Sequence, residues 1–397
     1  MDALRLLSGD AQTFLDKVWA SRVHLHQTDP AVLVGLLTLD DVDRLLTASG
    51  LRTPALRVVK DGSVCPASGF TRSATIAGAP LTGLVDARKA LAMYDDGATL
   101  VLQGLHRYWP PLTELVRRLE VELGHPCQAN AYLTPPGSQG FARHRDTHDV
   151  FVFQTHGHKQ WQVVEDATGP EPGPRSSPGS SPGSGGDAGT ERDIVLEPGL
   201  SMYLPTGTPH SARSQDQASL HVTVGINRLT WRDLLERETE RILAAPEYDA
   251  PLPAGYLTET DRLAGPLAEL LAPHSARVSE LDADKAAERA GDRFLTDRSP
   301  ALGGGLRDRT MLAGLEDGTV LVRRPTTACL LRREGDRLRV LLGDRELRMP
   351  LHVTAAMEHV RDHERLAVEE LAPWLDAESR LVLCRRLVRE GLLRIAR

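Results

Sequence analysis

His144-Arg145-Asp146-Thr147-His148-Asp149-Val150-Phe151-Val152-Phe153-Gln154, answered further along by Leu204-Pro205-Thr206-Gly207-Thr208-Pro209-His210, is the stretch on which the reading of this chain turns. In an extended segment residues two apart point to the same side, so His144 and Asp146 face one way and Arg145 the other. Two imidazoles and one carboxylate are the ligand set that holds Fe(II) on one triangular face and leaves the opposite positions open for oxygen chemistry. In a chain with 14 histidines the tripeptide alone carries little weight. Its surroundings carry the reading.

Val150 to Gln154 and Lys159-Gln160-Trp161-Gln162-Val163-Val164 are short runs rich in β-branched and aromatic residues, separated by Thr155-His156-Gly157-His158. That pattern predicts a hairpin. Upstream, Ala129 to Thr134 alternates as a strand and stops at Pro135-Pro136-Gly137; downstream, Ile194 to Leu196, Met202 to Leu204 and Ser219 to Ile226 add further strands. Many short strands joined by Gly/Pro turns indicate an all-β sandwich or barrel, whose interior could receive both ligands of the tripeptide, with His210 arriving from a distant strand.

The ordered motifs Asn130-Ala131-Tyr132-Leu133-Thr134-Pro135-Pro136-Gly137-Ser138-Gln139-Gly140, His144-x-Asp146, Asp149-Val150-Phe151, Gly157-x-Lys159-x-Trp161, Leu204-Pro205-x-Gly207-x-x-His210 and His221-Val222-Thr223 resemble the JmjC-type ribosomal oxygenases of the cupin superfamily. The resemblance covers roughly residues 10–228 and, more loosely, the remainder. It implies an α+β fold: a double-stranded β-helix barrel with a helical extension and a C-terminal winged-helix-like domain. It also implies an Fe(II)- and 2-oxoglutarate-dependent dioxygenase that hydroxylates a side chain of a ribosomal protein. By the same resemblance His144, Asp146 and His210 are the iron ligands, Lys159 takes the distal carboxylate of 2-oxoglutarate, and Tyr132 and Thr223 assist it. Chemistry agrees: the keto acid and O2 need open metal positions, and a carboxylate far from the metal needs a cation. Two departures from the family pattern stand out. Arg145 occupies a position often aromatic, and Gly225 one where some relatives place a hydroxyl.

The chain has 397 residues, 41% hydrophobic and 25% charged, enough for two or three globular domains. A net charge of −7 argues against a general affinity for nucleic-acid backbone. Cys65, Cys127, Cys329 and Cys384 form no Cys-x-x-Cys pair, which points to reduced thiols rather than a disulfide framework or zinc site. The first residues lack a secretory pattern and no apolar run is long enough to span a membrane, so a cytoplasmic protein is expected.

Three regions are expected: a JmjC/cupin domain over 1–228, a helical and dimerising region over 229–296, and a winged-helix-like domain over 297–397. Within the first, Leu112, Leu115, Val116, Leu119 and Leu123 make one stripe of a helix closed by Gly124, and the Gly/Pro/Ser-rich segment 166–190 is expected to be a disordered loop. Thr230 is the predicted cap of a helix bearing Leu234, Leu235, Ile242 and Leu243. The homodimer expected there follows from the resemblance; packing of these helices on their own barrel is the alternative. Glu334-Gly335-Asp336 marks a hairpin, followed by helical stretches Val353 to Val360, Leu366 to Leu371 and Glu378 to Glu390.

Other histidines receive plainer readings. His148, His156 and His158 sit in or beside a turn and face solvent, while His221 shares the parity of Thr223 and is either a hydrogen-bonding support or a core histidine. Arg380, Arg385, Arg386, Arg389, Arg394 and Arg397 read as a solvated basic face rather than a nucleic-acid-reading helix. Two other function classes stay open at this stage: a hydroxylase of a small molecule or natural-product peptide, and a non-enzymatic cupin regulator that binds nucleic acid.

Overall fold

A computed structural model of the chain describes residues 2–168 and 188–396. It divides into two compact units, Met1–Arg228 and Leu229–Arg397. Among the described residues no helix is long and apolar enough to cross a membrane.

The first unit contains β1 (His24–Gln27), β2 (Leu56–Lys60), β3 (Ser63–Val64), β4 (Thr71–Ile76), β5 (Ala79–Val85), β6 (Thr99–Leu102), β7 (Cys127–Thr134), β8 (Asp149–His156), β9 (Lys159–Thr168), β10 (Ala188–Leu196), β11 (Leu200–Leu204), β12 (His210–Ser214) and β13 (Ser219–Ile226). A large antiparallel sheet runs β1-β11-β8-β13-β7-β6-β2-β3, and a smaller one runs β10-β9-β12. Strands and flanking helices together make the mixed α+β architecture of a cupin-type fold.

Alternation decides what each face of the large sheet does. Phe151 and Phe153 of β8, with Leu220, Val222 and Val224 of β13 and Ala129, Ala131 and Leu133 of β7, pack into the core that includes the helix Pro110–Leu123. That helix buries Leu112, Leu115, Val116 and Leu119 and ends at Gly124, whose φ of 71° suits the residue that stops a helix. Each such apolar side chain contributes about 1.5–3 kcal/mol by leaving water. The opposite parity, Val150 and Val152, packs with Trp161 and Val163 of β9 and Met202 and Leu204 of β11. Val150, Val152 and Trp161 of this second set also line the pocket between the sheets.

One expected local pairing is corrected. β8 and β9 do not form a hairpin: β8 lies between β11 and β13, β9 between β10 and β12. Gly157 carries the chain from one sheet to the other with φ of 62°, where a Cβ would lie 2.0 Å from the carbonyl oxygen of Ala218. Only glycine fits this crossing. The strands β9 and β10 extend to Thr168 and from Ala188, so the ends of the segment expected to be a loop are paired. The rest of that expectation, 169–187, lies outside the described residues.

In the second unit Trp231–Leu243 begins with a reciprocal capping box between Thr230 and Asp233, and the helices Asp261–Ser279 and Ala283–Phe294 follow. Asp261–Ser279 runs through Pro266 and Pro273 without interruption. Further on, β14 (Val320–Arg323) pairs with β18 (Arg365–Ala367) and β19 (Leu393–Ile395), while β15 (Leu330–Glu334), β16 (Arg337–Leu341) and β17 (Glu346–Pro350) form a meander. Glu334 opposes Arg337, leaving Gly335-Asp336 as the two-residue turn. The stretch Leu366 to Leu371, expected as helix, is instead the end of β18 and a short 3-10 turn, because Val320 and Leu321 of β14 pair with it.

Candidate metal and co-substrate site

His144 and His210 meet across an isolated antiparallel bridge, in which each backbone N–H donates to the other's carbonyl at 3.0 and 2.9 Å. Asp146 stands between the rings: its carboxylate oxygens lie 3.6 Å from His144 Nε2 and 3.6 Å from His210 Nε2. One ligand atom from each of the three residues falls within 4.8 Å of the others, and no other such group of metal-binding side chains occurs among the described residues. In both histidines Nδ1 is 2.9 Å from a backbone carbonyl, of Ala142 and of Thr208. A carbonyl only accepts, so Nδ1 carries a proton in both rings and Nε2 is the atom turned toward the carboxylate. Burial lowers the pKa of His210 and outweighs the neighbouring Asp146, which keeps the ring neutral and able to bind a metal.

Arg145 points away from this cluster and donates to the carbonyl of Gly207 at 2.6 Å, while Gly207 N–H donates to the carbonyl of Asp146 at 3.0 Å. The loop before His210 is anchored a second time by Asp149. Its fully buried carboxylate accepts from Tyr203 Oη at 2.5 Å and from the backbone N–H and hydroxyl of Thr206 at 2.7 and 2.6 Å, with Arg228 3.4 Å away. The Asp149-Val150-Phe151 motif thus ties β8 to the loop that delivers the third triad residue.

Lys159, Tyr132 and Thr223 line the pocket that contains the triad, together with Arg57, Phe141, Trp161 and His221. The cavity measures about 80 Å³. Lys159 is 3% exposed, and its ammonium donates to Thr134 Oγ1 at 3.0 Å. No carboxylate pairs with it among the described residues, and burial pushes it down to about 7. Buried His221 Nδ1 and Trp161 Nε1 also have no hydrogen-bond partner. A buried cation and unpaired polar atoms in one pocket are suited to an anionic ligand. The donor set therefore fits a small dicarboxylate beside a divalent metal.

The Tyr132 hydroxyl is pushed up to about 12, chiefly by burial and secondarily by Asp146, so it remains a neutral donor. Gly225 leaves space that the His148 ring fills: a Cβ there would lie 2.7 Å from His148 Cδ2 and Nε2. His148, His156 and His158 are half-buried rather than solvent-facing, and His158 lies 3.3 Å from Asp216 through Nε2 and accepts from Gln217 Nε2 at Nδ1. Arg57 and Phe141 went unmarked in the sequence. Arg57 sits on a strand far upstream of the triad, and nothing local distinguishes it from a surface arginine.

Residues 107–234 match the JmjC domain family. The chain is 30% identical over 294 residues to the bifunctional lysine-specific demethylase and histidyl-hydroxylase NO66 of Aedes aegypti, covering 68% of this chain and 46% of that protein. It is 37% identical over 150 residues to human ribosomal oxygenase 1, covering 37% of this chain and 23% of that protein. The chain thus spans less than half the length of these curated relatives. Among solved structures, the ribosomal oxygenase YcfD of Escherichia coli shares the fold with a TM-score of 0.55 at 20% identity, covering 98% of this chain and 99% of that one. A YcfD structure with cobalt and 2-oxoglutarate aligns with a TM-score of 0.53 at 18% identity, again covering 98% and 99%. Through residues 107–234 the chain carries a JmjC domain.

Proposed function

We propose that this chain is an Fe(II)- and 2-oxoglutarate-dependent dioxygenase that hydroxylates a protein side chain, with histidine of a ribosomal protein as the favoured substrate. The observation that carries this reading is the buried Lys159 ammonium in the pocket of the His144–Asp146–His210 cluster, with no carboxylate partner among the described residues. Bound there, Fe(II) with 2-oxoglutarate and O2 supplies an oxidation that places one oxygen atom in a substrate C–H bond and the other in succinate, with release of CO2.

The chain's own residues do the rest. His144 and His210 offer Nε2 atoms from rings fixed by their Nδ1 bonds, and the Asp146 carboxylate completes the face. Lys159 holds the distal carboxylate, with Tyr132, Thr223 and His221 as pocket wall. Val150, Val152 and Trp161 keep water from the inner end. The names of the relatives, histidyl-hydroxylase and ribosomal oxygenase, support the substrate class.

The helix Asp261–Ser279 has no buried residue and leaves Leu267, Leu270, Leu271 and Val278 exposed, which supports a homodimer formed through 229–296. The β15–β17 meander beside helices Thr354–Asp362 and Ala377–Arg389 supports a winged-helix-like reading of the last region. Succinate formation from 2-oxoglutarate tests the activity. Peptide mapping of ribosomal proteins from cells with and without this protein tests the substrate: loss of a one-oxygen mass increment from a histidine is expected, and its location on arginine, or no lost increment, would overturn that assignment.

A further inference from the structure

Arg57 of β2 opposes Val101 of β6, Val101 opposes Tyr132 of β7, and Tyr132 opposes His221 of β13. Directly opposed residues share a face of the sheet, so one cross-strand row brings Arg57 to the pocket that holds the triad. The guanidinium lies over Phe141, 5.3 Å from the ring centroid. Phe141 in turn stands edge-on to Tyr132 at 6.3 Å and 5.7 Å from the ring of His144. Arg57 has no ion pair or side-chain hydrogen bond among the described residues, and its Nε is buried without an acceptor.

The pocket's charges can be assigned in turn. Among the described residues Asp146 is the only carboxylate in its lining and is assigned to the metal face; Lys159 is assigned to the distal carboxylate of the co-substrate. What remains to meet a substrate is the positive charge of Arg57. A cationic target side chain would need a free carboxylate or a bare aromatic face to hold it. Among the described residues no free carboxylate lines the pocket, a face of Phe141 carries Arg57 itself, Tyr132 is stacked with His221, and Trp161 is buried.

We infer that Arg57 is a specificity-determining residue that rejects cationic target side chains and donates to an oxygen of a polypeptide presenting an uncharged one. This rests on the oxygenase reading and narrows it. The like-charge penalty predicts discrimination of at least about tenfold between a neutral and a cationic side chain of similar size.

The test uses the full chain loaded with Mn(II) and 2-oxoglutarate, with N-acetyl-histidine methylamide and N-acetyl-arginine methylamide as probes at pH 8, where the free imidazole is neutral. Paramagnetic broadening of each probe's side-chain protons reports its approach to the metal. The histidine probe is expected to broaden selectively, Arg57→Lys to keep the preference, Arg57→Met to weaken it and Arg57→Glu to abolish or invert it. Equal broadening of both probes by the wild type, or an unchanged ratio in Arg57→Met and Arg57→Glu, would overturn the inference; so would parallel changes for both probes, the mark of a merely structural arginine. Mn(II) uptake is followed first by electron paramagnetic resonance. A wild type that takes up no Mn(II) removes the oxygenase reading and this inference together, whereas uptake without selectivity removes the inference alone.

Discussion

The His221 ring lies flat on Tyr132, with centroids 4.8 Å apart and planes within 2° of parallel, and its buried Nδ1 has no hydrogen-bond partner among the described residues. Burial holds this imidazole well below its ordinary pKa, with the nearby Lys159 acting in the same direction, so the ring is neutral and still has a polar atom to satisfy. His221→Phe keeps the stack and deletes that atom. A hydrogen bond to a charged group is worth about 1.5–3 kcal/mol, so the 2-oxoglutarate KM is expected to rise roughly 10- to 100-fold with little change in melting temperature. An unchanged KM would make His221 a packing residue.

Lys159 is held at about 7 by burial when no anion accompanies it, yet a carboxylate partner requires the ammonium. Below pH 7 the cation is already present and co-substrate binding takes up little proton. As pH rises above 7 binding must bring a proton with it, and the 2-oxoglutarate Kd should increase by up to about tenfold per unit. Calorimetry in buffers of different ionisation enthalpy measures that uptake directly. Lys159→Ala should remove both the affinity and its pH dependence, and Lys159→Arg should restore part of the affinity while abolishing the pH dependence near neutrality.

The triad makes a separate prediction. Asp146→Asn keeps the shape and removes the anion, while His144→Ala and His210→Ala each delete a ligand. All three should abolish 2-oxoglutarate turnover and weaken Co(II) binding, read by visible absorption, while circular dichroism stays native. Turnover near the wild-type rate in any of them would exclude that residue from the metal face.

Asp149 should matter more to folding than to chemistry. Asp149→Ala leaves the Tyr203 hydroxyl, two Thr206 donors and Arg228 without their shared acceptor. Removing one partner of such a buried charged network costs about 3–5 kcal/mol, which urea unfolding would register as a lower midpoint at constant slope. Metal affinity should fall as well, because the same carboxylate positions the loop before His210. If stability holds and only turnover falls, Asp149 acts on the reaction instead.

The sequence by itself determined which side chains share a face. Spacing of two put His144 beside Asp146 and Arg145 opposite, and the alternation in β13 put His221 with Thr223. Those outcomes are local, because a strand's period is fixed by its own backbone. The helix Pro110–Leu123 and its glycine stop were legible for the same reason. Only the tertiary structure decided which strands are neighbours: β8 and β9 look like a hairpin in sequence, but their edges pair with β11, β13, β10 and β12, and Gly157 becomes a crossing between sheets. It alone also decided that Lys159 has a threonine and, among the described residues, no carboxylate beside it, and that Arg57 reaches the triad's pocket along a row of strands. Burial and charge pairing are sums over segments far apart in the chain, so no local pattern encodes them.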